Sequence, residues 1–420
     1  MDILIDAGVR VQHVHGGITL IPGMKVGTCK DLKGYADSAT VPSRQMTWAF
    51  DYLIVGAGFA GSVLAERLAS QCGKSCLVVE RRNHIGGNAY DVHDAAGILL
   101  HMYGPHYFRT NSDRIVQYLS QFTEWRPTEY KILSWTHGQY WQFPINLNTF
   151  EQMIGRPSTS EEMEDALAKW RVPIGNPQNS EEAIVSQVGY RLYELFYKNY
   201  TLKQWKMDPR ELDASVCGRI PIRTNRDDRF QSEKFQALPR DGYTRMFERM
   251  LAHPGIKVLL QTDYREVAPF VQYKHMIYTG PIDHYFDCCY GPLPYRSLRF
   301  EPETFEEEFH LPAMQVNYPN DEAFTRVVEI KHCTGQKAPV TTIVREYPEG
   351  FGPGREPYYP IPAPAARALY ERYAERAKAE TGVSFVGRMA TYRYYNMDQV
   401  VGSALAEFEK LRGSLAGASP

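Results

Sequence analysis

The stretch FDYLIVGAGFAGSVLAERLASQCGKSCLVVE, residues 50–80, constrains the fold more than any other part of the chain. An apolar run, Leu53-Ile54-Val55, leads into Gly56-Ala57-Gly58-Phe59-Ala60-Gly61. Leu64 and Leu68 then share a helix face, and a second apolar run, Cys76 to Val79, ends at Glu80. This reads as strand, glycine turn, helix, strand. The glycines serve a tight turn, close approach of backbone to a pyrophosphate, and close packing of helix on sheet. The helix N-terminus offers its free N–H groups to the phosphates. Glu80, at the end of the second strand, can accept the hydroxyls of an adenosine ribose.

The glycine pattern alone is also compatible with an ordinary turn; the flanking strands and the acid at the required distance argue for a dinucleotide. Glu80-x-Arg82-x-x-x-Gly86-Gly87 adds a cation near the pyrophosphate and a glycine pair where a second loop meets the ligand. This extended form resembles the two-dinucleotide-binding-motif flavoproteins of the amine-oxidase-like group, and the resemblance implies FAD. Phe59, Ala60, Arg81 and Asn88 join the candidate cofactor residues.

At 420 residues the chain can form two or three domains. A net charge of −2 provides no field for a nucleic-acid backbone, so phosphate binding must come from a few local cations. The 28 tyrosines exceed what a core requires and suit sugar and diphosphate recognition. The seven cysteines are odd in number and lack zinc spacing, as expected of free thiols in a cytosolic protein. No apolar run approaches the roughly 18 residues of a membrane span, and the N-terminus lacks a signal pattern. The expectation is a cytoplasmic protein that forms a homo-oligomer.

Residues 1–46 have no sustained period, and two readings stand open. They are an extension ahead of a normal start at Met46, or a short hairpin around Gly16-Gly17 packed on the body. Beyond them the expected fold class is α/β: a Rossmann-like FAD-binding domain with an inserted helical bundle and an antiparallel sheet domain. The FAD domain is placed at 47–125, about 238–280 and 350–415, and the helical insert at about 145–210. The sheet is placed at about 126–144, 211–237 and 281–349. Ser158-x-x-Glu161 reads as a capping box for a helix in the insert. A last helix over 398–411 follows Asn396, a good N-cap, with Gln399 three positions on. Its positive end suits the negative charge of a reduced flavin.

Taken together, YGPHYFRT, NYTLKQW, RIPIRTNRDDRF, YTGPIDHYFD, FTRVVEIKH, PYYPI and GRMATYRYYNMDQV resemble the bacterial UDP-galactopyranose mutases. They run in family order from about residue 50 to 402. The resemblance implies flavin-dependent, non-redox interconversion of the pyranose and furanose forms of a UDP-linked galactose-type sugar. In that family the N5 atom of reduced flavin attacks the anomeric carbon, so no protein nucleophile or metal is expected; NAD(P)H is the implied reductant. By motif position, Arg219 and Arg326 correspond to the two diphosphate arginines, and His106 to a histidine over the flavin ring. Tyr200 and Trp205 match residues that contact uridine, although Trp205 could instead plug the bundle. Tyr358, Tyr359 and Tyr394 match tyrosines near the diphosphate, with the choice within the adjacent pair open. Gly387, Arg388, Met397 and Asp398 fall to the flavin.

Three positions depart from the family pattern: Arg109 for a histidine, Phe230 for a tyrosine, and Asn396 for an aspartate. A charged fork at Arg109 suits an acyl oxygen, which makes UDP-N-acetylgalactosamine an alternative substrate. Equally, Arg109 could bind a nucleotide phosphate or a carboxylate of the protein. An ordinary FAD-dependent oxidoreductase is the remaining alternative.

Overall fold

The computed structural model describes residues 48–417; the expectations for residues 1–46 lie outside them. The glycine-turn unit builds the centre of a five-stranded sheet. Across it the strands run Ile256–Leu259, Cys76–Val79, Trp48–Val55, Val271–Tyr278 and Val383–Phe385. Every neighbouring pair is parallel. Parallel strands are covered on both faces and therefore read as continuous apolar runs. Leu53, Ile54, Leu77, Val78 and Ile277 are accordingly fully buried. The helix Phe59–Cys72 returns the chain between the first two strands, and the final helix, Met397–Gly417, packs against it.

A seven-stranded sheet stands beside this unit. Its order is Tyr359–Pro360, Tyr295–Phe305, Thr341–Gly350, Arg326–Val328, Gln315–Asn317, Ile132–Thr136 and Gln139–Phe143. The pairing is antiparallel except between Gln315–Asn317 and Ile132–Thr136, which run parallel, so the sheet is mixed. Two boundaries differ from expectation. Tyr359–Pro360, placed with the flavin domain, joins this sheet, because the loop before it folds back and the Tyr358 N–H donates to the Arg296 carbonyl at 2.8 Å. Phe235–Pro239, reached from the 211–237 segment, pairs instead with Phe108–Thr110 and Trp125–Pro127 in a separate three-stranded sheet. There Phe235 packs edge-on against Phe108 and Trp125, which favours this partner over the large sheet.

The insert contains the helices Leu147–Ile154, Ser160–Trp170 and Ser180–Tyr193, a π-type turn at Glu194–Lys198, and the short helix Asn199–Trp205. The second of these is capped by Thr159 rather than Ser158: Thr159 Oγ1 accepts from the Glu162 N–H at 3.2 Å. Ser158 donates to the Glu162 carboxylate instead, and Glu161 and Glu162 both fall in the positive first turn. The helix Ser180–Tyr193 is interrupted by a kink at Gly189, whose φ of +77 is not helical, and a Cβ there would lie 2.2 Å from the Trp170 carbonyl oxygen. Only glycine permits the two helices to cross so closely.

Candidate active site

A cavity of about 740 Å³ runs from the carboxyl ends of the parallel strands to the wall of the mixed sheet. Its first half is backbone. Gly56 has φ +105, and a Cβ there would lie 2.2 Å from Thr279 Oγ1. Gly58 and Gly87 face each other so closely that a Cβ on Gly87 would reach 3.0 Å from the Gly58 Cα. Gly61 lies off the cavity wall; its Cβ would meet the Gly56 carbonyl oxygen at 1.9 Å, so it seats the helix on the turn. Glu80 closes this end, its two oxygens accepting from the backbone N–H groups of Ala57 and Arg82 at 3.0 and 2.9 Å. Arg82 donates to Asn88 Oδ1 at 3.0 Å and lies over the Tyr103 ring. Arg81 and Arg82 share Glu356. Phe59, Ala60, Gly86, Gly387, Arg388, Asn396 and Met397 also line the cavity. Asp398 does not reach it and sits within the first turn of the final helix. The Gln399 side chain accepts from the Asn396 N–H at 2.9 Å, so the expected cap forms its reciprocal bond. A glycine cradle that a Cβ would fill, facing two helix N-termini, fits the pyrophosphate and isoalloxazine of FAD.

The far half is cationic and aromatic. Tyr359 and Tyr394 stand with ring centroids 5.4 Å apart. Arg219 lies over Tyr394, and Arg388 lies 5.0 and 5.2 Å from the two ring centroids. The Arg388 Nε is buried without a hydrogen-bond partner. Arg326 is held by Glu346, with Nε and Nη2 at 2.8 and 2.6 Å from the same oxygen. Burial opposes ionisation of Tyr394, but Arg219 and Arg388 outweigh it and bring its hydroxyl below the usual value. Tyr359 moves the other way, raised by burial and by Glu346. Tyr200 lines the same wall, pushed up to about 12 chiefly by burial.

Two choices left open by the sequence take one side here. Tyr358 is buried behind the wall against Tyr103 and Phe300, and Tyr359 alone of the pair reaches the cavity. Trp205 is buried too; it backs Tyr359 and Tyr394 at 6.2 and 6.0 Å rather than lining the space.

His106 lines the cavity between the two halves. Its Nδ1 is 2.9 Å from the Gly104 carbonyl, which assigns the proton to that nitrogen. Burial, aided by His101, holds the ring down to about 3, so it is neutral. Arg109 lines the wall but is ion-paired with Glu233, the intraprotein carboxylate reading. Phe230 also faces the cavity and stacks edge-on with Tyr130.

Comparison with known proteins accords with this geometry. A UDP-galactopyranose mutase family profile matches residues 195–394, and an NAD(P)-binding Rossmann-like domain profile matches residues 54–122. A probable UDP-galactopyranose mutase of Klebsiella pneumoniae is 37% identical over 87% of this chain and 95% of its own length. The chain belongs to the UDP-galactopyranose mutase family. Other relatives in the family's range include a dTDP-fucopyranose mutase of Escherichia coli, 34% identical over 84% of this chain and 96% of its own length. In three dimensions the fold resembles a reduced UDP-galactopyranose mutase at TM-score 0.70 and 17% identity, covering 87% of this chain and 94% of that one. A putrescine oxidase follows at TM-score 0.57 and 16% identity, covering 87% and 100%. The glycine-turn half thus carries a Rossmann-like dinucleotide-binding fold.

Sequence reasoning missed Glu346, Glu233 and Glu356, the carboxylates that hold four of the site's arginines. The sequence carries no signal for them: Glu346 is 1% exposed, but its strand, Thr341–Gly350, also holds Arg345 and Glu349 and does not mark it as a buried acid.

Proposed function

We propose that this family member interconverts the pyranose and furanose rings of a UDP-linked, galactose-type sugar without net oxidation, with FAD in its reduced state. The carrying observation is the convergence of Arg219, Arg326 and Arg388 near the Tyr359–Tyr394 pair at the end of the glycine cradle. Arg326 is neutralised by Glu346. Among the described residues, neither Arg219 nor Arg388 has a carboxylate within ion-pairing distance, so a nucleoside diphosphate supplies the missing charge. When bound and reduced, FAD supplies the nucleophile for displacement of the nucleotide.

The protein's part is to hold what leaves. Arg219 and Arg388 present planar forks to diphosphate oxygens, and Arg326 is aimed by Glu346. Tyr394, with its lowered value, accepts from Arg219 and leaves the remaining guanidinium N–H groups for phosphate. The N-terminus of the final helix, at Asn396 and Met397, favours negative charge on the flavin. Neutral His106 adds no charge beside it. The charge of Arg109 is met by Glu233 within the protein, which favours the plain galactose-type sugar as substrate. NAD(P)H as reductant, a cytoplasmic location and a homo-oligomeric state complete the proposal; no helix among the described residues is long and apolar enough to cross a membrane.

The test is to incubate the dithionite-reduced holoenzyme with UDP-galactofuranose and separate the products by chromatography. UDP-galactopyranose is expected; its absence, with flavin present and reduced, overturns the proposal.

A further inference from the structure

The short helix Asn199–Trp205 carries Tyr200 on the cavity wall and Trp205 behind it. Irregular backbone flanks it: the π-type turn Glu194–Lys198 before, and Lys206 at φ +54 after. Such turns interrupt the helical ladder and mark a segment whose placement depends on outside contacts.

Lys203 makes those contacts away from the cavity. Its Nζ donates to the carbonyls of Tyr318, Glu322 and Phe324, the last two at 2.7 and 3.0 Å. All three belong to the turn between Gln315–Asn317 and Arg326–Val328, which ends at Arg326. Asn199 reaches the same turn, its Nδ2 donating to Asn320 Oδ1 at 2.9 Å. Lys203 forms no ion pair among the described residues, and burial draws its ammonium down to about 8. A desolvated ammonium is tolerated only while its three donors are satisfied, so this site holds the helix in one position relative to the turn.

That position matters at both diphosphate arginines. On one side the turn leads directly into Arg326. On the other, Trp205 supports Tyr394, on which Arg219 lies.

We infer that Lys203 is a positioning residue for nucleotide binding, coupling the placement of Tyr200 and Trp205 to the turn that aims Arg326. The inference rests on the reading of the cavity as a nucleotide-sugar site. The residue touches neither the cavity nor the reacting atoms, so it acts through the helix it holds.

The test is a UDP titration of the FAD-loaded full-length protein, followed by tryptophan fluorescence, alongside steady-state kinetics. Lys203→Met is expected to raise the UDP dissociation constant and KM by about tenfold, with kcat within about twofold. Lys203→Arg, which keeps several donors, recovers most of the affinity. Asn199→Ala, at an exposed position, weakens UDP by about threefold in a variant that leaves the core untouched. FAD content and melting temperature remain those of the wild type. UDP binding by Lys203→Met within about twofold of wild type overturns the inference. So does a loss of flavin and melting temperature in Lys203→Met accompanied by wild-type affinity in Asn199→Ala. A wild-type protein that fails to bind UDP removes the proposed function, and the inference with it.

Discussion

Arg219 Cζ lies 4.4 Å from the centroid of the Tyr394 ring, while its Nη2 donates to the hydroxyl of the same tyrosine at 3.2 Å. One side chain thus holds the guanidinium by both its face and its edge. A phosphate can then bind to the remaining edge without first ordering the arginine, which lowers the entropic cost of binding.

Removing either fork should be felt in the transition state. Arg219→Ala and Arg326→Ala are each expected to lower kcat/KM by a factor corresponding to roughly 2–5 kcal/mol, with FAD content unchanged. Arg326→Ala is expected to be the less stable protein, because it leaves Glu346 buried without its cation. Near-normal kcat/KM in either variant, measured under reducing conditions, would return that arginine to a structural role.

Tyr394→Phe separates the ring from its hydroxyl. The stacking surface for Arg219 survives, but the acceptor is lost. The expected cost is about 1–2 kcal/mol in kcat/KM, smaller than that of Arg219→Ala. A loss as large as that of Arg219→Ala would show that the hydroxyl itself contacts the substrate.

How much of this could be read from the chain follows from how local each feature is. The glycine cradle was legible because its strand, turn and acid lie within 31 consecutive residues, 50–80. Arg219 and Arg326 were legible only through motif resemblance, since nothing in their spacing brings them together. Tyr358 and Tyr359 could not be told apart, because which of two adjacent residues faces the cavity depends on the partner strand. Pairing of Arg296 with Tyr359 decides it. Glu346 illustrates the same limit: it stands opposite Arg326 in register, and strand order is not written in either segment. The sequence reading gives Arg388 to the flavin, and its position beside Tyr359 and Tyr394 emerges only from the return of the chain after Val383–Phe385.

The third glycine of the turn gives a test of the cradle. Gly61→Ala places a methyl 1.9 Å from the Gly56 carbonyl oxygen, so the helix must move off the sheet. Overpacking of this kind costs typically 1–3 kcal/mol or more. The variant is expected to melt earlier and to retain less flavin, read by the 450 nm-region absorbance relative to protein. Full flavin occupancy at wild-type melting temperature would show that the turn tolerates the shift.

Acid stability reports on the histidine loop. Burial holds His101 down to about 4 and His106 to about 3, against an ordinary value of 6.5. The unfolded chain therefore takes up these protons first. Their contribution to stability is complete above about pH 6.5 and is lost as the pH falls from there toward about 3. His106→Gln is expected to flatten the fall of melting temperature between pH 7 and 5. Parallel curves for the two proteins would mean that His106 titrates alike in the folded and the unfolded chain.

The claim that the sugar ring is rearranged without net oxidation can be measured by counting. The holoenzyme is reduced with one two-electron equivalent per flavin, excess reductant and oxygen are removed, and UDP-galactofuranose is added in large excess. The account predicts many molecules of UDP-galactopyranose per flavin, with the flavin still reduced at the end. Product that stops at one molecule per flavin, with the flavin reoxidised, would contradict it.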